Sequence, residues 1–140
     1  MLLHIVARGR IGRGPEADLV DRYLGRIAGP TRVTELPDTG GRMPPRAPAT
    51  KLVMLDEKGD QTGSLAFANL LGRWRDDGTR ECRFLIGAAD GFDDAQRAEA
   101  DLLIAFGRAT WPHLLARAML AEQLFRAMSI LANHPYHREG

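Results

Sequence analysis

The chain has 140 residues, enough for one domain with its own core, and its 44% hydrophobic and 26% charged residues are the balance of an ordinary globular protein. With 19 basic and 18 acidic side chains the net charge is +1, which argues against a histone-like or tail-driven nucleic-acid binder but leaves room for a local basic patch. The single cysteine, Cys82, excludes an internal disulfide and a multi-cysteine zinc site, and no run reaches the roughly 18 apolar residues that cross a bilayer.

The opening "MLLHIVARG" is too short and too strand-like for a signal peptide, so a cytoplasmic protein is expected. Leu2 to Ala7 is a β-branched apolar run and predicts the first strand, which "RGRIGRG" interrupts with three glycines. Pro15 opens a helix, Leu19, Val20, Tyr23, Leu24 and Ile27 follow at helical spacing, and Gly29-Pro30 ends it. "RVTEL" predicts a short second strand. Pro37 to Thr50, with four prolines and two glycines, predicts a surface loop, long enough to be mobile or functional.

"KLVMLD" predicts the third strand, turned by "EKGDQTG". Ser64 is placed to cap a helix in which Leu65, Ala68, Leu71 and Trp74 share a face. "CRFLIG" predicts a fourth strand with Cys82 as a buried thiol, then comes the loop "GAADG" and a helix rich in Ala, Asp and Gln. "DLLIAF" predicts a fifth strand. "PHLLARAMLAEQLFRAMSIL" is the strongest helix signal in the chain, with Glu122 and Arg126 at the favourable i,i+4 spacing. Its apolar residues cover more than half its circumference, and Glu122, Arg126 and Ser129 form its polar stripe. So wide a face exceeds what one sheet covers, so either a second element or another subunit packs over it, and a homodimer is the favoured reading.

Strands alternating with helices imply an α/β fold in one domain, residues 1–140, with a mainly parallel sheet and helices on both faces. Ligand loops then lie at the carboxyl ends of the strands, which directs attention to "MLDEKG", "IGAADG" and "AFGRATWPH". "IGAADG" fits a close backbone approach to a ligand or a plain tight turn, and it is neither a dinucleotide fingerprint nor a phosphate loop. "GRATWPH" fits either an anion site at a helix N-terminus or a helix start capped by Thr110 with Pro112 just inside. No serine or cysteine occupies an elbow-like context, which disfavours an α/β hydrolase.

The chain ends "NHPYHREG". Pro135 forbids a continuous helix through His134 and His137, so the pair is a poor metal motif, and no metal is expected. Ordering this tail costs roughly 8–16 kcal/mol of backbone entropy. Burying the Tyr136 ring returns only about 4–6 kcal/mol. The tail is therefore expected to order only in a cleft, on a partner subunit or on substrate.

"LIGAADGF", "TWPHLLARAMLAEQLFRAMSI" and above all "NHPYHRE" resemble the ribosomal RNA large subunit methyltransferase H family, a small SPOUT-type group. "LDEKG" and "LLHIVARGR" add to the resemblance. It implies a C-terminal trefoil knot, a homodimer, and S-adenosylmethionine (S-adenosyl-L-methionine) bound in the knot. It also implies methylation of N3 of a pseudouridine in helix 69 of 23S rRNA, position 1915 in the usual rRNA numbering, on the assembled ribosome. Carried over, Leu55, Gly87, Ala88, Phe106, Gly107, Arg108, Ala109, Thr110 and Trp111 bind the cofactor, mostly through backbone. His134, Tyr136, His137 and Arg138 lie near the transferred methyl, across the dimer interface.

Three departures accompany the resemblance. Gly87-Ala88 stands where relatives have two glycines, "PHLLAR" lacks a proline, and the proline loop replaces a longer stretch that is helical in relatives. Methyl transfer from a sulfonium is an in-line displacement that needs alignment, and N3 must lose its proton. His137 is the expected general base, because imidazole titrates near working pH, and His134 is the alternative. Tyr136 is expected to position the base and Arg138 to hold a phosphate or oxyanion. The rival reading is a non-enzymatic ribosome- or RNA-binding protein with a degenerate pocket.

Overall fold

The apolar runs of the chain become five strands, β1 (Leu2–Arg8), β2 (Thr31–Leu36), β3 (Thr50–Asp60), β4 (Glu81–Ile86) and β5 (Leu102–Ile104). In the computed structural model, which describes residues 1–138, they form one sheet in the order β2-β1-β4-β3-β5 with every pairing parallel. Helices α1 (Pro15–Gly25), α2 (Ser64–Asp76) and α3 (Asp94–Ala98) lie between strands, and α4 (His113–Leu131) follows β5. β4 is buried without a break from Cys82 to Ile86, as a central strand covered on both faces must be.

Crossover handedness explains which element covers which face. The connections β1→β2 and β3→β4 step one way across the sheet and carry α1 and α2 on a common face. There Leu3, Ile5, Val53, Phe84 and Ile86 pack with Phe67 and Leu71 of α2 and with Leu120 and Leu124 of α4. The connections β2→β3 and β4→β5 step the other way and cross the opposite face. Because β2→β3 is the proline loop, that face has only the short α3 segment and the loop, over Val6, Leu52, Met54 and Leu85 with Phe92 and Leu103. The expected α/β class and parallel sheet are present, but the three long helices share one face.

Several local expectations change. "EKGDQTG" is not simply a turn: β3 runs on to Asp60 and bends, so that Val53 to Leu55 and then Asp60 all pair with Leu102 to Ile104. Gly59 sits where the two chains nearly touch, and a Cβ there would lie 2.6 Å from the backbone of Ile104. β5 is shorter than "DLLIAF", because Ala105 makes one last bond to Asp60 O (3.0 Å) and Phe106 turns away. Gly63, not Ser64, is the N-cap of α2, and the Ser64 hydroxyl donates to Gln123 Oε1 at 2.8 Å. Leu65 is exposed, and Phe67 takes its place on the buried face.

The proline loop is tied down rather than free. Arg8 donates to Pro37 O and Gly40 O, and Arg83 donates to Pro44 O and Pro45 O at 2.7 and 2.9 Å. Arg46 reaches Asp101 at 3.0 Å. Beneath the loop His4 lies buried between Glu81 Oε2 (3.1 Å) and Thr34 Oγ1 (2.7 Å). Burial outweighs the attraction of Glu81 and lowers the His4 pKa, which favours the neutral ring.

The wide apolar face of α4 finds most of its cover within the chain. Val20 of α1 packs on Ala118 and Ala121, and α2 packs on the adjacent stripe. Ser129 leaves the expected polar stripe: it is buried, and its hydroxyl donates back to Phe125 O at 2.8 Å. Leu115, Met119, Phe125 and Met128 stay half-buried.

Candidate functional site

The middle of β3 and the carboxyl ends of β4 and β5 converge on a cleft of about 230 Å³. Leu55 lines it from within β3, Ile86 and Ile104 from the strand ends, Gly87 to Gly91 form one wall, and Phe106 to Trp111 another. Every residue named above for cofactor binding lines this cleft except Arg108, which is exposed between two that do. The Trp111 indole donates to Phe106 O at 2.7 Å and closes the second wall on itself. Gly107, with φ +84°, makes the left-handed turn that this wall requires.

Thr110 does not cap α4. Pro112 occupies the N-cap position and no side chain accepts from the first turn, so α4 points uncapped N–H groups toward the side where His113 and Ala116 line the cleft. Asp56, Glu57, Asp90 and Arg97 also line it and were not named from sequence. The first two lie in "MLDEKG", which was singled out as a strand end, whereas nothing local marks Arg97. Its Nε donates to Asp56 Oδ2 at 2.8 Å. Burial would raise the Asp56 carboxyl, but Arg97 and the Lys58 N–H outweigh it and hold the pKa below the ordinary carboxylate range.

The tail residues are placed elsewhere. Asn133 adopts φ +57° after α4, with Asn133 N–H bonded to Ile130 O (3.1 Å) and His134 N–H to Ser129 O (2.8 Å). This Schellman turn and the proline after it reverse the chain. Tyr136 then packs edge-on to Phe125 with centroids 4.6 Å apart, donates to Glu122 Oε1 at 3.1 Å, and lies under the Arg126 guanidinium. The dock for the tail is therefore α4 of its own chain, through a network rather than one ring. Burial first, and the bond to Glu122 next, push the Tyr136 phenol up to about 12.

His137 Nδ1 lies 3.0 Å from Arg126 Nη1, which can only donate. The ring hydrogen therefore sits on Nε2, which is buried and has no partner among the described residues. His134 and Arg138 are exposed. None of the four tail residues lines the cleft of its own chain, since Glu122 and Arg126 lie six and ten residues beyond Ala116, about 9 and 15 Å along the helix.

Among the described residues no helix is long and apolar enough to cross a membrane, and no group of three His, Cys, Asp or Glu side chains could hold a metal ion. The sheet is that of a parallel α/β protein with a cleft at its carboxyl edge, and residues 38–137 match the family model described as predicted SPOUT methyltransferase. The chain is 83% identical over 140 residues to a ribosomal RNA large subunit methyltransferase H of Rhizorhabdus wittichii, with both chains covered in full. It is 68% identical over 141 residues to one of Novosphingobium aromaticivorans, again over both full lengths, and 47% identical to one of Paramagnetospirillum magneticum over 99% of each. The chain belongs to the ribosomal RNA large subunit methyltransferase H family.

Proposed function

We propose that this protein methylates large-subunit rRNA, transferring the methyl of S-adenosylmethionine to N3 of the helix 69 pseudouridine on assembled ribosomes. The observation that carries this reading is the convergence of the carried-over cofactor residues, from three separate loops, on one cleft. The cleft suits the cofactor chemically. Leu55, Ile86 and Ile104 offer an apolar floor for a purine, and Glu57 and Asp90 offer carboxylates to a cation. The uncapped start of α4 offers N–H groups to a carboxylate. When bound, the cofactor supplies an electrophilic methyl on a sulfonium.

The chain's own residues supply orientation and proton transfer. Tyr136, with its raised pKa, stays protonated at working pH and positions Glu122 and Arg126 rather than taking a proton. While Arg126 holds Nδ1, His137 presents Nε2–H and donates to a carbonyl of the acceptor base. It becomes the general base for N3 when Arg126 releases Nδ1 and the hydrogen moves there. Exposed Arg138 and His134 are free to meet RNA phosphate.

The functional unit in this reading is a homodimer in which the tail of one protomer serves the cleft of its partner. Its support is the distance between tail and cleft in one chain, together with half-buried Leu115, Met119, Phe125 and Met128 along α4. Mixing inactive His137→Ala with inactive Gly107→Val protomers should restore on the order of a quarter of wild-type turnover, one intact site in each mixed dimer. No recovery, with mixed dimers verified by mass spectrometry, would place the tail in its own chain's site. The trefoil knot that the family resemblance implies belongs to the same reading.

The reading is tested by methyl transfer to ribosomes from a strain lacking this protein, with naked rRNA alongside and calorimetric titration of the cofactor. Methylation of the ribosomes at the pseudouridine is expected. Absence of cofactor binding at millimolar ligand would favour a non-enzymatic ribosome-binding protein.

A further inference from the structure

The loop between β1 and α1 reads "GRIGRG", Gly9 to Gly14, and neither the cleft nor the tail uses it. Arg10 and Arg13 are exposed on it, and neither makes a hydrogen bond or ion pair among the described residues. The base of the loop, by contrast, is held from inside. Arg117, 1% exposed, donates to Gly9 O at 3.1 Å and to Glu35 Oε2 at 2.6 Å, and the Ile11 N–H donates to the same Oε2 at 2.8 Å.

This arrangement presents two unengaged guanidinium groups on a fixed base. Glu35 is already occupied by Arg117, and Arg8 is engaged only with the neutral carbonyls of Pro37 and Gly40. The other carboxylates bordering the loop are Asp38, beside Gly9, and Glu16 and Asp18 in the first turn of α1. The loop itself carries Arg10 and Arg13 and no carboxylate, so its exposed tip is positive in a chain that is almost neutral as a whole. The loop starts next to the cleft, because Ala7 at the end of β1 is in register with Ile86, a cleft residue at the end of β4.

We propose that Arg10 and Arg13 grip backbone phosphates of the RNA on either side of the nucleotide presented to the cleft. The inference rests on the reading of this protein as an rRNA methyltransferase. Guanidinium forks suit phosphate oxygens, and contacts of this kind set affinity and register without reading base sequence. Arg10 and Arg13 are positioning residues, acting on the substrate and not on the methyl donor.

The test compares Arg10→Ala/Arg13→Ala with wild type in steady-state methylation of ribosomes over a range of salt. The double variant should raise KM on the order of ten-fold while kcat stays within about two-fold. The dependence of log KM on log salt should flatten by roughly 1.5, the equivalent of two phosphate contacts. Arg10→Lys/Arg13→Lys should keep the steep salt dependence. Arg73→Ala/Arg80→Ala, which removes two charges near the opposite end of the sheet, should match wild type. Calorimetry should give every variant wild-type cofactor affinity, which shows that the fold is intact. A double alanine variant with wild-type KM and salt slope, or one no different from the Arg73/Arg80 control, overturns the proposal. Failure of wild type to methylate would count against the functional reading instead. Filter binding of helix 69 RNA to the same variants, read for the same change of salt slope, then decides the phosphate contacts by themselves.

Discussion

Gly59→Ala is expected to cost about 3 kcal/mol and to lower the melting temperature by roughly 10 °C. The new methyl would lie 2.6 Å from the backbone N and C of Ile104 and 2.7 Å from the carbonyl carbon of Leu103. No rotamer change relieves this, because the obstacle is main chain and not the end of a flexible side chain. β5 must move away from β3, and the bond from Ala105 N–H to Asp60 O at 3.0 Å is lost first. Phe106 and Gly107, next in the chain, line the cleft, so cofactor affinity should fall with stability. Gly25→Ala is the control: nothing lies within 4 Å of its Cβ position, and its melt should match wild type or rise slightly. A Gly59→Ala melt within a degree or two of wild type would show that β3 and β5 do not pass as closely as described.

His137→Ala should lower kcat for ribosome methylation by about 100-fold or more, with cofactor affinity unchanged. The imidazole is the one tail group with a buried nitrogen that no described residue satisfies, and in the proposed reading that nitrogen meets the acceptor base once the tail engages substrate. Its other nitrogen is held by Arg126, which Glu122 in turn holds through a bond of 2.9 Å to Nε. Arg126→Lys keeps the charge but loses the planar fork that binds Glu122 and the imidazole together, so it should lower kcat with cofactor affinity unchanged. Unchanged turnover in His137→Ala would remove this residue from the chemistry. Collapse of cofactor binding alone would make the tail a structural lid.

Much of the secondary structure was legible because it is written locally. Pro15 at the head of α1, the unbroken apolar run of β4, and Glu122 four residues before Arg126 are all read within one or two turns of chain. The errors fall where a distant segment overrules a local preference. "EKGDQTG" has the composition of a turn, yet β5, more than forty residues later, pairs with it and draws it into a strand. Arg117 reads as one polar residue on an apolar helix, and its partner Glu35 is 82 residues away. Ser64 is a good capping residue, but Gln123 on another helix takes its hydroxyl.

The candidate site divides in the same way. Glycines and small residues at the ends of predicted strands directed attention to loops that do line one cleft, and the resemblance supplied the roles proposed for them. Arg97 carried no sequence signal, because it matters only through Asp56 opposite it, whereas the start of α4 read equally as an anion site or as a helix capped by Thr110, and the folded chain leaves it uncapped. The tail was expected to order only in a cleft, on a partner subunit or on substrate, since the Tyr136 ring alone could not hold it. Asn133 and Pro135 instead turn it back onto α4, where one aromatic contact, one cation–π contact and two hydrogen bonds act together.

Periodicity, proline and glycine placement, and an alternating pattern of strands and helices were enough to establish a parallel α/β protein with ligand loops at its carboxyl edge. These properties depend on neighbours a few residues apart, which a linear reading contains. The passage of β5 beside Gly59, the burial of Arg117 under the arginine loop, and the separation of the tail from its own cleft came from the folded chain. Each depends on pairing between segments tens of residues apart, and that pairing is selected by sheet register and packing, which leave no local periodicity to read.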